Sequence, residues 1–144
     1  MSALRLTAHR LGNRKAVWWG ALCTRESVGG ALSKSDIAAL DAAVQSVKTG
    51  RETDRRAAHA AAEATKYETA AGWVALAAFW LEGSLAPIGL ADVVPDERLT
   101  GQAIAGALLM AAVQVEPLRA QANYERFLAI ADDVVSDKSP IPQD

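Results

Sequence analysis

Two histidines, His9 and His59, one cysteine, Cys23, and the serine after Gly83, Ser84, are where chemistry could start in this chain. The histidines lie on different predicted helices. Neither reads as having a cysteine or carboxylate at the spacing a zinc site uses, so no metal and no cofactor are expected. Cys23 sits in a predicted helix among aromatic residues, where a buried structural thiol is the expected state. A reactive thiol needs an accessible, electropositive setting. Gly83-Ser84 lacks the flanking pattern of a nucleophile elbow, and a serine after a helix-ending glycine is commonly a turn former. No phosphate-binding loop or dinucleotide fingerprint occurs. The mixed charges of Arg51-Glu-Thr-Asp-Arg-Arg56 look like a solvated helix start, and Asp132-Asp133 sits where the helix dipole disfavours carboxylates. The residues predict a protein that is not an enzyme.

The elements that must position any site are helical. A chain of 144 residues, 51% hydrophobic and with net charge −2, is sized for one folded domain. It shows no basic face for nucleic acid. Residues 4–11 and 14–25 form a first helical unit broken at Gly12-Asn13. Val28-Gly-Gly30 interrupts the chain before Ser33 opens a helix with Asp36 three residues on, a capping-box pattern. Ile37, Leu40, Val44 and Val47 give that helix an apolar stripe up to Gly50. Thr53 is expected to cap a helix over 54–65, and Thr69 to cap one carrying Trp73, Leu76 and Trp80. Thr100 is expected to cap 101–115, whose Ile104, Leu108, Ala111, Ala112 and Val115 make it apolar nearly all round and therefore central. Pro117 suits the first position of the last helix, preceded by Glu116, with Leu118, Tyr124, Phe127, Leu128, Ala131 and Val135 facing inward. Trp19, Trp73, Trp80, Leu108 and Leu128 are the expected anchors. The reading is an all-α, compact single-domain bundle of about six helices. Residues 1–136 form the helical domain and 137–144 a flexible C-terminal tail.

Neither apolar run, 70–81 nor 103–113, reaches the roughly 20 residues a membrane-spanning helix needs. The first ten residues lack the pattern of a secretory signal, so the expected location is cytoplasmic. One segment departs from ordinary loop chemistry. Residues 84–99 read as irregular, yet Leu85, Ile88, Leu90, Val93 and Val94 are apolar. Such a loop either packs over the core or docks a partner. Together with an exposed aromatic surface near Trp18, these five residues form the expected protein-binding face.

Five blocks occur in fixed order: Lys15-Ala-Val-Trp-Trp19, Ala70-Ala-Gly-Trp-Val-Ala-Leu-Ala-Ala-Phe-Trp80, Gly83-Ser-Leu-Ala-Pro87, Leu99-Thr-Gly-Gln-Ala-Ile-Ala-Gly-Ala-Leu-Leu109 and Tyr124-Glu-Arg-Phe-Leu-Ala-Ile130. The combination resembles an uncharacterised bacterial family, a domain of unknown function whose members are often encoded within type VI secretion gene clusters. Leu81-Glu82 and Asp96-Glu-Arg98 depart from the family's look at the turn and loop. The resemblance carries no catalytic residues. It implies a secretion-associated accessory protein, an adaptor or co-chaperone for effector loading, whose partner is a secretion effector or a fellow accessory protein. An immunity-type protein that occludes a toxin is the alternative, and an enzyme of unrecognised type is a third reading. Oligomeric state is not specified by the residues.

Overall fold

Two helices of this chain, over 34–49 and 70–79, begin at side chains that satisfy orphan amides of their first turns. The computed structural model describes residues 3–81, 85–86, 88–93 and 95–143. Among them are seven α-helices: α1 (Ala3–Leu11), α2 (Asn13–Val28), α3 (Lys34–Thr49), α4 (Glu52–Ala64), α5 (Ala70–Phe79), α6 (Leu99–Gln114) and α7 (Ala120–Val135). No strand occurs among the described residues. The predicted first unit is two helices, because Gly12 takes a positive φ of 82° that ends α1 and starts α2 afresh.

The capping box forms as expected. The Asp36 amide donates to Ser33 Oγ, and the Ser33 amide donates to Asp36 Oδ2, both at 3.1 Å. Gly50 closes α3 in the left-handed conformation at φ 66°. Thr69 caps α5, accepting from the Gly72 amide. Two expected caps are displaced. α4 starts after Arg51 rather than Thr53, and α6 starts after Arg98 rather than Thr100. Thr100 is buried instead, and its hydroxyl donates to the Ala77 carbonyl of α5 at 3.2 Å, tying two central helices together. Pro117 opens a single 3₁₀ turn, Pro117–Arg119, with the Glu116 side chain accepting from the Leu118 amide, before α7 begins.

α5 is the hub, in contact with α2, α3, α4 and α6. Its nine buried residues include Ala70, Ala71, Ala75, Ala77 and Ala78. Side chains this small let helices approach closely at native packing density. At the α2–α6 crossing a Cβ on Gly20 would meet Ile104 Cδ1 at 2.9 Å, so only glycine fits without displacing that neighbour. Trp19 and Leu108 are fully buried anchors, and the Trp19 indole donates to the Phe127 carbonyl of α7 at 2.8 Å.

Trp73, Trp80 and Leu128 are half-buried at the edge of the core. Ile37, Val115, Leu118 and Val135, expected to face inward, are exposed. In α3 the buried stripe falls on Asp36, Ala39, Leu40, Ala43, Ser46 and Val47. α6 ends at Gln114, so Val115 lies beyond the packed turns. Leu118 stands on the 3₁₀ turn, outside the α7 periodicity that was expected to carry it inward.

Candidate protein-binding loop

The connection from α5 to α6 starts from a fixed base. At its near end Phe79 is buried, with the guanidiniums of Arg55 and Arg56 at 4.5 and 5.3 Å from its ring centroid. The His59 ring stacks on Phe79 at 4.3 Å. Arg55 is itself buried. Its Nη1 donates to the Phe79 carbonyl at 2.8 Å, and its Nη2 pairs with Glu52 Oε1 at 2.7 Å. Glu52 also accepts from Arg56 Nε at 2.8 Å. Hydrogen bonds from Arg55 and Arg56 pull the Glu52 carboxyl down to about 2. One cationic side chain thus satisfies an end carbonyl of α5 and carries its own counter-ion.

The far end is pinned as well. Asp96 accepts from the Arg98 amide at 2.8 Å and from its guanidinium at 3.1 and 3.2 Å, which holds the Asp96 carboxyl below its ordinary range. Asn13 Nδ2, at the start of α2, donates to the Glu97 carbonyl at 3.0 Å. Beside this end lies a groove of about 450 Å³ lined by Arg5, Leu6 and His9 of α1 and by Glu97, Arg98 and Gln102.

Between the two ends the loop divides. Leu85 packs half-buried against the core and Ala86 is buried. The Leu85 amide donates to the Val93 carbonyl at 2.7 Å, closing the segment on itself. Gly89 takes φ 91° at the tip. Ile88 is 82% exposed, Leu90 65% and Val93 53%. Val94, the fifth expected loop residue, lies outside the described residues, as do Gly83, Ser84 and Pro87 of the expected turn. The core-covering reading therefore holds for one flank, while the tip presents apolar side chains to solvent.

Trp18 does not join that surface. It is only 7% exposed, and its indole donates to the Ser139 carbonyl at 2.8 Å. Adjacent residues on a helix differ by about 100°, which turns Trp19 to α7 and Trp18 beneath the segment that follows α7. Residues 137–144, read from sequence as separate from the helical domain, lie there against α2 and α7 where they are described. Burial, reinforced by Glu26, pushes the Cys23 thiol well above its ordinary pKa.

Sequence reasoning missed two features. Glu63, one helical turn after His59, places Oε1 3.3 Å from His59 Nε2; the i,i+4 spacing was there to be read. A second apolar surface comes from Leu109 and Val113 on the outer face of α6 and from Leu118, which is 93% exposed. Its signal was the all-round apolarity of α6, which describes a helix with an open apolar face as well as a buried one. Among the described residues, no three His, Cys, Asp or Glu side chains cluster in a way that could hold a metal ion. No helix among them is long and apolar enough to cross a membrane.

No curated protein and no solved structure matches this chain. A family does match: residues 1–135, which take in all seven described helices and both apolar surfaces, fit Family of unknown function (DUF6931), and the chain belongs to that family.

Proposed function

We propose that this protein is a non-enzymatic accessory protein that works by binding another protein through the tip of the α5–α6 loop. The observation that carries the reading is the exposure of Ile88, Leu90 and Val93 on a segment whose two ends are fixed. Apolar side chains held in water by a braced backbone lose little conformational freedom on docking, and burying them removes apolar surface from solvent. The setting that the five-block resemblance implies, type VI secretion, makes the partner an effector or a fellow accessory protein, and the role that of an adaptor or co-chaperone in the cytoplasm.

The test is affinity paired with stability. Partners recovered by pull-down from the native host are purified, and their binding is measured by calorimetry against wild type, Ile88→Ser and Val93→Ser. Each substitution is expected to weaken association by about 1–2 kcal/mol while the melting temperature stays close to wild type. Unchanged affinity in both well-folded variants would rule the loop out as the main docking site.

A further inference from the structure

Residues 137–143 of the chain turn back over Trp18 of α2 at the end of α7. The segment leaves α7 through Asp137, a non-glycine residue at φ 61°, which reverses its direction. The Lys138 and Ser139 amides then both donate to the Asp133 carbonyl, at 2.9 and 3.1 Å. This turn brings the Ser139 carbonyl to the Trp18 indole at 2.8 Å and lets Ile141 pack on the core. Next to this Trp18 contact lies a different, unfilled pocket of about 360 Å³, walled by Leu22 and Ile130 and crossed by the ion pair of Glu26 with Arg126 at 2.7 Å.

The chemistry of the occupant is on display. Ser139-Pro140-Ile141-Pro142 holds two prolines, each with φ fixed near −65°, and each biases the residue before it towards extended backbone. Such a segment has little conformational entropy left to lose. An indole N–H donating to a carbonyl that precedes a proline, with an apolar side chain seated beside it, is a physically sound way to hold an extended proline-flanked peptide. The walls, α2 and α7, lie within the family match at residues 1–135, whereas the occupying segment lies outside it.

We infer that the groove over Trp18, between α2 and the end of α7, is a peptide-docking site, closed in this chain by residues 137–143, which takes an extended segment of a partner presenting a carbonyl before a proline followed by an aliphatic side chain. Docking in trans displaces the resident segment, so binding is weakened by the fraction of molecules in which the groove is filled. The inference is independent of the α5–α6 loop, since it involves other helices and other side chains.

The test uses the full chain carrying Ile141→Asp and a synthetic peptide of wild-type residues 136–144. Indole N–H resonances report three sites at once: Trp18 on Ser139, Trp19 on Phe127 and Trp73 on Tyr67. In the variant the Trp18 resonance is expected to shift while those of Trp19 and Trp73 stay in place, showing an open groove on an intact fold. Added peptide should return the Trp18 resonance to its wild-type position. The same peptide should bind the wild-type protein about tenfold more weakly, because its groove is occupied. An unmoved Trp18 resonance in the variant, failure of the peptide to restore it, or equal affinity for wild type and variant would each overturn the inference. So would concentration-dependent dimerisation of the wild type that Ile141→Asp abolishes, which would assign the groove to segment exchange between two copies.

Discussion

The two connections of α5 are built from opposite materials. Before the helix, residues 65–69 form a short turn in which Lys66 and Tyr67 both take left-handed backbone, at φ 60° and 57°. Neither is glycine, so the turn carries strain of about 1–2 kcal/mol per residue, which its neighbours must offset. Thr65 Oγ1 donates to the Ala62 carbonyl at 2.6 Å, and the Trp73 indole donates to the Tyr67 carbonyl at 2.9 Å. Thr69 donates to the buried Asp36 carboxylate at 2.7 Å, joining the N-terminus of α5 to that of α3. After the helix, the connection is long, fixed at its ends, and carries apolar side chains into water. Polar residues determine the tight connection and apolar residues decorate the open one. Polarity along a sequence therefore does not say which loop is buried. What decides is whether a loop's polar groups find partners within the fold.

Breaking the tight side should give the largest effect. A Cβ on Gly72 would collide with Thr65 Oγ1, an atom already held by two hydrogen bonds. Gly72→Ala should therefore lower stability by about 2–3 kcal/mol, measured by urea unfolding, because the junction cannot open without moving α4. Asp36→Ala should cost about 2 kcal/mol in the same assay, since it removes the capping box and leaves the Thr69 hydroxyl without its acceptor. Lys66→Gly should act in the other direction and raise stability by about 0.5–1 kcal/mol, relieving left-handed strain at an exposed position. A neutral or destabilising result would show that the turn is unstrained.

The open side should respond to pH at its base and hardly at all at its tip. The Glu52 pKa is depressed to about 2 in the fold, so its contribution is present above the ordinary carboxylate range. That contribution is lost as pH falls towards 2. Glu52→Gln should thus be less stable than wild type at pH 7 by under about 1 kcal/mol, the carboxylate being half-exposed, and the gap should close in acid. Thermal melts of the two proteins between pH 7 and pH 2 follow this directly. Smallest of all, Ile88→Ser and Val93→Ser should each change stability by no more than about 0.5 kcal/mol. A larger loss would mean that the tip packs on the fold and would remove it from the docking surface.

Much of the scaffold was legible in the residues because helix ends are local events. Ser33 with Asp36, Gly50 and Thr69 each act within a turn of their own position, and each appears where the pattern placed it, whereas Pro117 opens a 3₁₀ turn ahead of the last helix. The displaced caps show the limit. Thr53 and Thr100 are good capping residues, but Thr100 is more useful bonded to Ala77 on a neighbouring helix, a partner 23 positions away. The candidate loop was legible as an apolar segment without helical period. Its division into a covered flank at Leu85 and Ala86 and an exposed tip at Ile88 and Leu90 was not, because all four are apolar and only the surroundings differ.

By itself the sequence determined the fold class, most helix limits, the alanine-rich packing of α5 and the concentration of apolar residues between α5 and α6. These follow from backbone hydrogen bonding and from side-chain size, which act within a few residues of each position. Only the tertiary structure decided which apolar residues meet water. Trp18 lies beneath residues some 120 positions later, Arg55 closes the end of a different helix, and Leu118 faces solvent although Phe127 and Ile130, as apolar as it is, are buried. Burial is a property of what stands on the other side of a residue, and in a bundle that is usually a helix distant in the chain.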